Sequence, residues 1–236
     1  MLSIVVDEKN VNDDFVIINN IKDIRHIVNV YRLKVDDVIR VTDGKYQYEA
    51  KICKISKKEV LVKIENKKED IYSLNINIDL AIGIIKNDKM NLLIQKLTEI
   101  GVRKIIPVKT ERVIVKIDSK KDKWEDIVTE AMKQCRAIKR TEIEDIIKLD
   151  DIDFSVYDKI LYLYEKSSEN GKIYDIIENN DKNVLCIIGP EGGFTEKECV
   201  KLKLKGAKEI SLGNRILRAE TAAIVACSIL AHGYGY

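Results

Sequence analysis

Two glycine-containing loops near the end of the chain combine residue types that can bind a small ligand. The first is Gly189-Pro190-Glu191-Gly192-Gly193, and the second runs from Leu212 to Thr221. Glycine lets a backbone approach a ligand closely and adopt positive φ, and helix starts after such loops offer unpaired N–H groups. Backbone donors and acceptors suit the edge of an adenine, and apolar side chains suit its faces. We therefore predict that the two loops form the walls of one cofactor pocket.

The predicted cofactor-binding residues come from both loops and comprise glycines, polar or charged side chains and apolar side chains. They are Gly189, Pro190, Glu191, Gly192, Gly193, Leu212, Gly213, Asn214, Arg215, Ile216, Leu217, Glu220 and Thr221. No GxGxxG, GxxxxGK[ST], GxSxG or HExxH motif occurs in the sequence. Ordinary tight turns remain the competing interpretation of the glycines, and a surface ion pair remains that of Arg218 with Glu220.

The periodicity of apolar residues predicts two domains, at 1–71 and 72–236. The first carries short β segments and one helix, with Asp43-Gly44 as a hairpin turn. These elements are predicted at Leu2–Val6, Phe15–Ile18, Ile21–Tyr31 (the helix), Val38–Thr42, Tyr46–Ile55 and Val60–Ile64. The polar, turn-prone segment Glu65–Asp70 precedes the boundary. This composition is typical of a small, barrel-like β module.

After the boundary, strands alternate with helices, which indicates an α/β domain with a largely parallel sheet. Strands are predicted at Ile76–Ile84, Lys104–Val108, Ile160–Tyr164, Val184–Ile188 and Ile210–Leu212, and helices at Met90–Ile100, Lys123–Ile138, Glu196–Leu204 and Ala219–His232. Thr195 and Glu198 form a capping box at the start of the third helix. Ligands bind beyond the carboxyl ends of strands in such sheets, and both glycine loops follow predicted strands.

Composition, charge and cysteine usage argue against a membrane-spanning protein and against a disulfide-bonded secreted one. Lys+Arg 41 against Asp+Glu 39 leaves a formal charge of +2, so bulk charge alone does not indicate a nucleic-acid binder. The basic stretches 51–68 and 103–123 are candidate RNA contacts or simply solvated faces. No apolar run is long enough for a bilayer. The five cysteines form no CxxC pair, and the sequence shows no signal peptide. We therefore expect a reduced, cytoplasmic setting.

The two histidines, His26 and His232, are far apart in the sequence, so we expect no structural metal site.

The strings GPEGGFTEKE (189–198) and SLGNRILRAETA (211–222) resemble the cofactor-binding signature of the ribosomal RNA small subunit methyltransferase E family, of the SPOUT class. The resemblance continues in 86–90, in 95–102, in Thr110-Glu111-Arg112 and in the helix that carries Trp124. In the first module, residues 26–32 and Asp36-Asp37 resemble the PUA-like domain of that family. Departures are Val113 in place of a serine, Ala137 in place of an arginine and Thr141 in place of a proline.

The resemblance implies a trefoil-knotted α/β methyltransferase domain behind a PUA-like, RNA-binding β-barrel. It implies methyl transfer from S-adenosylmethionine (SAM) to N3 of a uridine in 16S ribosomal RNA of the small subunit, by a homodimer formed through the C-terminal domain. Arg218 or Arg136 would stabilise the charge that develops on the uracil, and Glu191 or Glu220 would orient the site. The RNA contacts implied are His26, Arg32 and Arg112.

Other functions remain open at this stage. A catalytically inactive RNA-binding or ribosome-assembly protein could keep the same fold, although intact glycine loops argue against it. A methyltransferase of the same class could also act on a different RNA, such as transfer RNA, or on a ribose hydroxyl. A small-molecule enzyme would leave the basic stretches without a role.

Overall fold

The computed structural model describes residues 1–115, 117–165, 172–178 and 180–235. The chain divides into two compact units. The first contains Met1–Ser73 together with Met132–Arg140, and the second contains Leu74–Ala131 and the chain from Thr141 onward. The segment from Met132 to Arg140 is therefore grouped with the N-terminal residues, although it is far from them in the sequence.

The first unit contains a five-stranded sheet with the order β1-β3-β4-β5-β2. Its strands are β1 (Ser3–Val5), β2 (Phe15–Ile18), β3 (Val38–Thr42), β4 (Gln47–Ile55) and β5 (Val60–Lys68). Only β1 and β3 pair in parallel; the other pairs are antiparallel. The strands predicted here are confirmed, and Gly44 in the turn between β3 and β4 has a φ of 89°.

Alternation along β4 shows how this sheet covers its core. Tyr48, Ala50 and Ile52 are buried, whereas the residues between them are more exposed, because successive side chains of a strand point to opposite faces. The helix α1 (Ile21–Arg25) adds Ile24 to the same core. The side-chain oxygen of Asn20 caps α1 by accepting from two backbone N–H groups.

Two predictions for the first unit need correction. The helix predicted as far as Tyr31 is α-helical only to Arg25 and continues as a π-helical turn over His26–Val30. The predicted turn segment after Ile64 is wrong, because β5 continues to Lys68 and stays paired with β4. Lys68 donates to Glu49 across the pair at 2.6 Å. Polar residues persist in this strand because its end is solvated on the exposed side.

The second unit contains a parallel sheet with the order β12-β10-β11-β6-β7-β8, and β9 also pairs with β7. The strands are β6 (Asn77–Gly83), β7 (Lys104–Lys109), β8 (Glu142–Ile143), β9 (Ile147–Lys148), β10 (Lys159–Leu163), β11 (Asn183–Ile188) and β12 (Lys208–Ile210). The central strands β6 and β11 are buried along almost their whole length, as expected for strands covered on both faces.

The helices of the second unit are α2 (Asn87–Ile100), α3 (Asp122–Cys135), α4 (Glu196–Leu204) and α5 (Ala219–Tyr234), with the last turn of α3 grouped in the first unit. The predicted bounds of α4 are confirmed, together with its capping box: Thr195 accepts from the Glu198 N–H, and Glu198 accepts from the Thr195 N–H. Gly101 ends α2 with a φ of 95°, as predicted.

Other boundaries differ from the predictions. The helix α2 begins three residues before Met90, and α5 runs two residues past His232. The helix α3 ends at Cys135 rather than Ile138, because Arg136 adopts a left-handed φ of 63°. The strand β12 covers Lys208–Ile210 rather than Ile210–Leu212, so it ends two residues earlier than predicted. Strands β8 and β9 were not predicted, since two residues carry no periodicity.

A buried carboxylate ties strands of the second sheet together away from the glycine loops. Asp79 is fully buried and accepts from Arg103 Nε at 2.8 Å, Arg103 Nη2 at 2.7 Å and the Tyr157 hydroxyl at 2.8 Å. Burial, followed by the charge of Asp79, raises the pKa of Tyr157 above its usual range. Three donors therefore depend on a single carboxylate.

Replacing Asp79 by Ala is expected to lower the free energy of unfolding by about 3 kcal/mol, because it removes one partner of a buried ion pair. Urea denaturation measures the change. The control is Asp118→Ala, which breaks the Lys109–Asp118 pair; that pair is equally short at 2.6 Å, but the Asp118 side chain is 95% exposed. The control should change stability by less than about 1 kcal/mol. Equal losses in both variants would contradict the role given to Asp79.

Candidate cofactor-binding site

Both glycine loops border one cleft of about 690 Å³ in the second unit. It lies beyond the carboxyl ends of β10, β11 and β12. Every residue predicted to bind a cofactor lines this cleft except Glu220 and Thr221, and Arg218 lines it too. The residues brought together are Gly189, Pro190, Glu191, Gly192, Gly193, Leu212, Gly213, Asn214, Arg215, Ile216, Leu217 and Arg218. The two glycine loops, which α4 and β12 separate in the chain, thus lie side by side along one cleft, as expected from the parallel sheet.

The first loop is packed so closely that side chains would not fit at several points. A Cβ on Gly83, at the end of β6, would lie 2.4 Å from the Pro190 nitrogen. A Cβ on Gly189 would lie 3.1 Å from the Gly193 carbonyl carbon. The Gly193 N–H donates to the Pro190 carbonyl at 2.9 Å, which closes a turn, and Gly193 has a φ of 66°. The glycines here therefore serve a turn geometry that other residues cannot adopt without strain.

Arg112 lies against this loop. Its Nη1 donates to the carbonyls of Gly192 and Phe194, each at 3.1 Å. The Phe194 ring is buried and contacts Tyr162 edge-on, with 6.5 Å between the ring centroids. The guanidinium of Arg112 thus holds the first loop in place. The contact of Arg112 with RNA stays a prediction.

The second loop leads directly into α5. The Gly213 N–H donates to Ser211 Oγ at 3.2 Å, and Gly213 has a φ of 111°. Arg218 occupies the position before α5 with an extended backbone, and its side chain makes no capping hydrogen bond. The first-turn N–H groups of α5 are therefore left for a ligand or solvent, and Ala219 of that turn lines the cleft.

A lysine lies between two carboxylates beside the cleft. Lys89 Nζ is 3.9 Å from Glu191 Oε1 and 3.7 Å from Glu220 Oε1. Glu191 Oε1 also accepts from the backbone N–H of Lys86 at 3.1 Å, which joins the first loop to the start of α2. Glu220 is buried, with only 7% exposed. These contacts connect three elements: α2, the loop after β11 and the start of α5.

Away from the two loops and the elements that flank them, sequence reasoning missed four residues that line the cleft: Lys89, Leu163, Tyr164 and Glu165. Leu163 ends β10, and Tyr164 and Glu165 follow it, so the end of that predicted strand was a signal that could have identified all three. The Glu165 carboxylate lies so near Gly193 that a Cβ there would be 2.8 Å from Oε1. Lys89 was part of the family-like stretch 86–90, but nothing in its spacing marked it as a cleft residue.

The second catalytic candidate, Arg136, belongs to the first unit, as do His26 and Arg32. All three side chains are exposed, and Arg32, like Arg136, has a positive φ, of 54°. His26 contacts Tyr31 edge-on, with 6.5 Å between the ring centroids. The structure thus places the two candidates for charge stabilisation, Arg218 and Arg136, in different units.

The main chain at Arg136 is held by a buried arginine. Arg40 is 2% exposed and donates to the Arg136 carbonyl at 2.6 Å, to Ser3 Oγ at 2.7 Å and to Gln47 Oε1 at 2.8 Å. Desolvation lowers the pKa of Arg40 from its usual value. One turn earlier, Lys133 donates to the buried Asp23 at 2.6 Å. The backbone of this segment is therefore fixed at two points.

Neither a metal-binding cluster nor a membrane-spanning helix is found among the residues that the structure describes. Across residues 1–115, 117–165, 172–178 and 180–235, no group of three or more His, Cys, Asp or Glu residues could hold a metal ion. Over the same ranges, no helix has the length and apolar character needed to cross a membrane.

The chain matches two family models and several curated and solved proteins. A model described as an RNA methyltransferase domain matches residues 72–231, and one described as an RNA methyltransferase PUA domain matches residues 11–65.

Among curated proteins, the chain is 31% identical to the ribosomal RNA small subunit methyltransferase E of Bacillus subtilis, over 89% of this chain and 88% of that one. It is 35% identical to the protein of the same name from Rickettsia conorii, over 86% and 84%. The crystal structure of a ribosomal RNA small subunit methyltransferase E from Neisseria gonorrhoeae, bound to S-adenosyl methionine, superposes with a TM-score of 0.88 at 28% identity, over 100% of this chain and 98% of that one. The chain belongs to the ribosomal RNA small subunit methyltransferase E family.

Proposed function

We propose that this protein transfers a methyl group from SAM to N3 of a uridine in the 16S ribosomal RNA of the small subunit. The observation that carries the proposal is the single cleft formed by both glycine loops at the carboxyl ends of β10, β11 and β12, in a chain of this family. The SAM-bound relative with the same overall fold supports the choice of cofactor. A ribosomal RNA substrate would place the activity in the cytoplasm.

The residues of the cleft fit SAM. The cleft volume of about 690 Å³ lies in the range of small-molecule sites. Leu212, Ile216 and Leu217 offer apolar surface for an adenine ring, and the loop backbone offers donors and acceptors for the ring edge. Glu191 supplies negative charge beside the cleft for a cationic ligand. SAM, when bound, supplies a methyl group that is already activated by its sulfonium charge.

The protein must then position an unpaired uracil and stabilise its charge. N3–H lies on the Watson–Crick edge, so the base has to be presented outside a helix. N3 must first release its proton to solvent, which leaves negative charge on the uracil oxygens. The uracil anion would then take the methyl group, with S-adenosylhomocysteine as the second product. Arg218 is exposed at the cleft and cannot accept a proton, so we assign it to stabilising this charge. Arg136 is the second candidate for the same role, and Glu191 or Glu220 orients the site.

We also propose the finer features of the fold. Residues 1–71 would form a PUA-like β-barrel that binds RNA through His26 and Arg32, supported by the PUA match at 11–65. Residues 72–236 would form a trefoil-knotted SPOUT domain, supported by the methyltransferase match and by a sheet in which β10 lies between β11 and β12. A knot would account for two sequence-distant loops lining one cleft.

Purified protein given labelled SAM is expected to methylate small ribosomal subunits or naked 16S RNA, and not transfer RNA. Digestion and mass spectrometry should identify the product as N3-methyluridine. Arg218→Ala should lower kcat by about a hundredfold with SAM affinity changed less than about twofold, as for loss of one charge-stabilising group.

The comparison variant is Arg215→Ala, on the same loop, which should weaken SAM binding more than turnover. SAM binding without label in any RNA would contradict the proposed reaction and point to a binding-only protein. An Arg218→Ala variant with unchanged turnover would move the catalytic assignment to Arg136.

A homodimer is proposed to form through the C-terminal domain, so that RNA held by one subunit can present its base to the partner's cleft. The helix α5 leaves a half-buried apolar stripe of Ile224, Val225 and Ile229 that a second copy could cover. Gel filtration should give about twice the 27.0 kDa mass of one chain. Ile229→Lys should shift the protein to monomer, and a wild-type chain that is monomeric at working concentration would contradict the dimer.

Arg40→Met is expected to weaken RNA binding about tenfold, because the Arg136 carbonyl loses its donor and the left-handed turn is no longer held. SAM affinity should not change, since Arg40 lies in the first unit. Filter binding with 16S RNA, in both the wild-type and the Arg136→Ala background, measures the effect. The loss should largely vanish in the Arg136→Ala background. Equal losses in both backgrounds would contradict a role through Arg136. The control is Lys9→Met, at a lysine of the same unit whose side chain is 77% exposed.

A further inference from the structure

We propose that Lys89 and Glu220 form a subsite for the amino-acid end of the cofactor, in which Lys89 binds the α-carboxylate and Glu220 binds the α-ammonium group. This inference rests on the proposed function, because it assumes that SAM occupies the cleft. It assigns roles to Lys89, which the sequence did not mark, and to Glu220, which does not itself line the cleft.

The state of Glu220 is the first observation. The residue is 7% exposed, and its Oε2 is buried without a hydrogen bond from any residue that the structure describes. Its other oxygen, Oε1, lies 3.7 Å from Lys89 Nζ. A buried carboxylate oxygen without a donor is costly, so such a group beside a binding cleft is expected to receive its donor from the ligand.

The position of Lys89 is the second observation. Its Nζ is 3.7 Å from Glu220 and 3.9 Å from Glu191, which is within ion-pair range but longer than an N–H···O hydrogen bond. The ammonium therefore keeps donors that neither carboxylate has taken up. Lys89 lines the cleft, and Ala219 in the uncapped first turn of α5 lines it too. A ligand carboxylate would find both a cation and free backbone N–H groups there.

Glu191 does not compete for the ammonium role. Its Oε1 already accepts from the Lys86 backbone N–H at 3.1 Å and so holds the first loop against the start of α2. Of these two carboxylates, Glu220 is the one with a buried oxygen that has no donor among the residues that the structure describes. Lys89 and Glu220 thus present one positive and one negative group side by side. That arrangement is the complement of an α-amino acid, whose ammonium and carboxylate groups stand on the same carbon.

Calorimetry with three ligands tests the subsite without any RNA. SAM and S-adenosylhomocysteine carry the amino-acid end, and methylthioadenosine lacks it. Lys89→Met is expected to weaken SAM and S-adenosylhomocysteine by about tenfold to a hundredfold, as for loss of a charge-assisted hydrogen bond, with methylthioadenosine changed less than about twofold. Glu220→Gln should show the same selectivity with a smaller loss, of about tenfold, because the amide keeps one acceptor oxygen.

The matched control is Lys86→Met. This removes the same charge one turn away, while its contact with Glu191 is made by the backbone and is kept. It should leave all three affinities within about twofold. If Lys89→Met or Glu220→Gln weakens methylthioadenosine as much as SAM, the residues act only on the shape of the cleft and the subsite is overturned. Unchanged affinities in both variants overturn it too. A wild-type chain that binds neither SAM nor S-adenosylhomocysteine would overturn the proposed function itself.

Discussion

Parallel pairing of β10 with both β11 and β12 is the constraint on which the candidate site depends. Leu163 pairs with Ile188 on one side and with Ile210 on the other, so the three strands end at the same level of the sheet. The loops that follow must then emerge side by side. The neighbouring strand β6 ends at Gly83, whose missing side chain leaves the space that Pro190 fills. The strand register therefore places the two loops side by side, and the absence of a Cβ at Gly83 lets Pro190 of the first loop pack against β6.

Charged side chains then hold the first glycine loop in the position that backbone geometry gives it. Glu191 joins the first loop to α2, and Arg112 holds the same loop through two carbonyl groups. The network of Asp79, Arg103 and Tyr157 anchors the sheet away from the cleft, and both oxygens of its carboxylate accept hydrogen bonds within the network. Glu220 differs from Asp79, because it has a buried oxygen without a donor among the residues that the structure describes, and this is the property expected of a group that receives its donor from a ligand.

Local patterns predicted much of this architecture. Alternation located the first five strands, continuous apolar runs located the buried strands, and the capping box at Thr195 gave α4 its limits. The two glycine loops were identified from residue type alone. Strand order cannot be read from such patterns. The position of β10 between β11 and β12 was therefore not predicted, and the residues at the end of β10 were missed. Lys89 was missed because it lies on a helix and precedes Gly189, the first residue of the first loop, by 100 positions, so only tertiary packing brings it to the two loops.

Arg136 illustrates what no periodicity conveys. The helix α3 stops there because a non-glycine residue takes a left-handed conformation, which is unfavourable by about 1 kcal/mol or more. Arg40 holds the turn with a buried guanidinium whose hydrogen bonds go to neutral oxygens, a second unfavourable feature at the same point. Either feature alone could be a detail of packing. Their coincidence leaves the Arg136 side chain exposed on a fixed backbone, and pre-organisation of that kind favours binding because less conformational entropy is lost when a ligand arrives. The geometry thus supports a binding role for Arg136, alongside the assignment of Arg218 to the cleft.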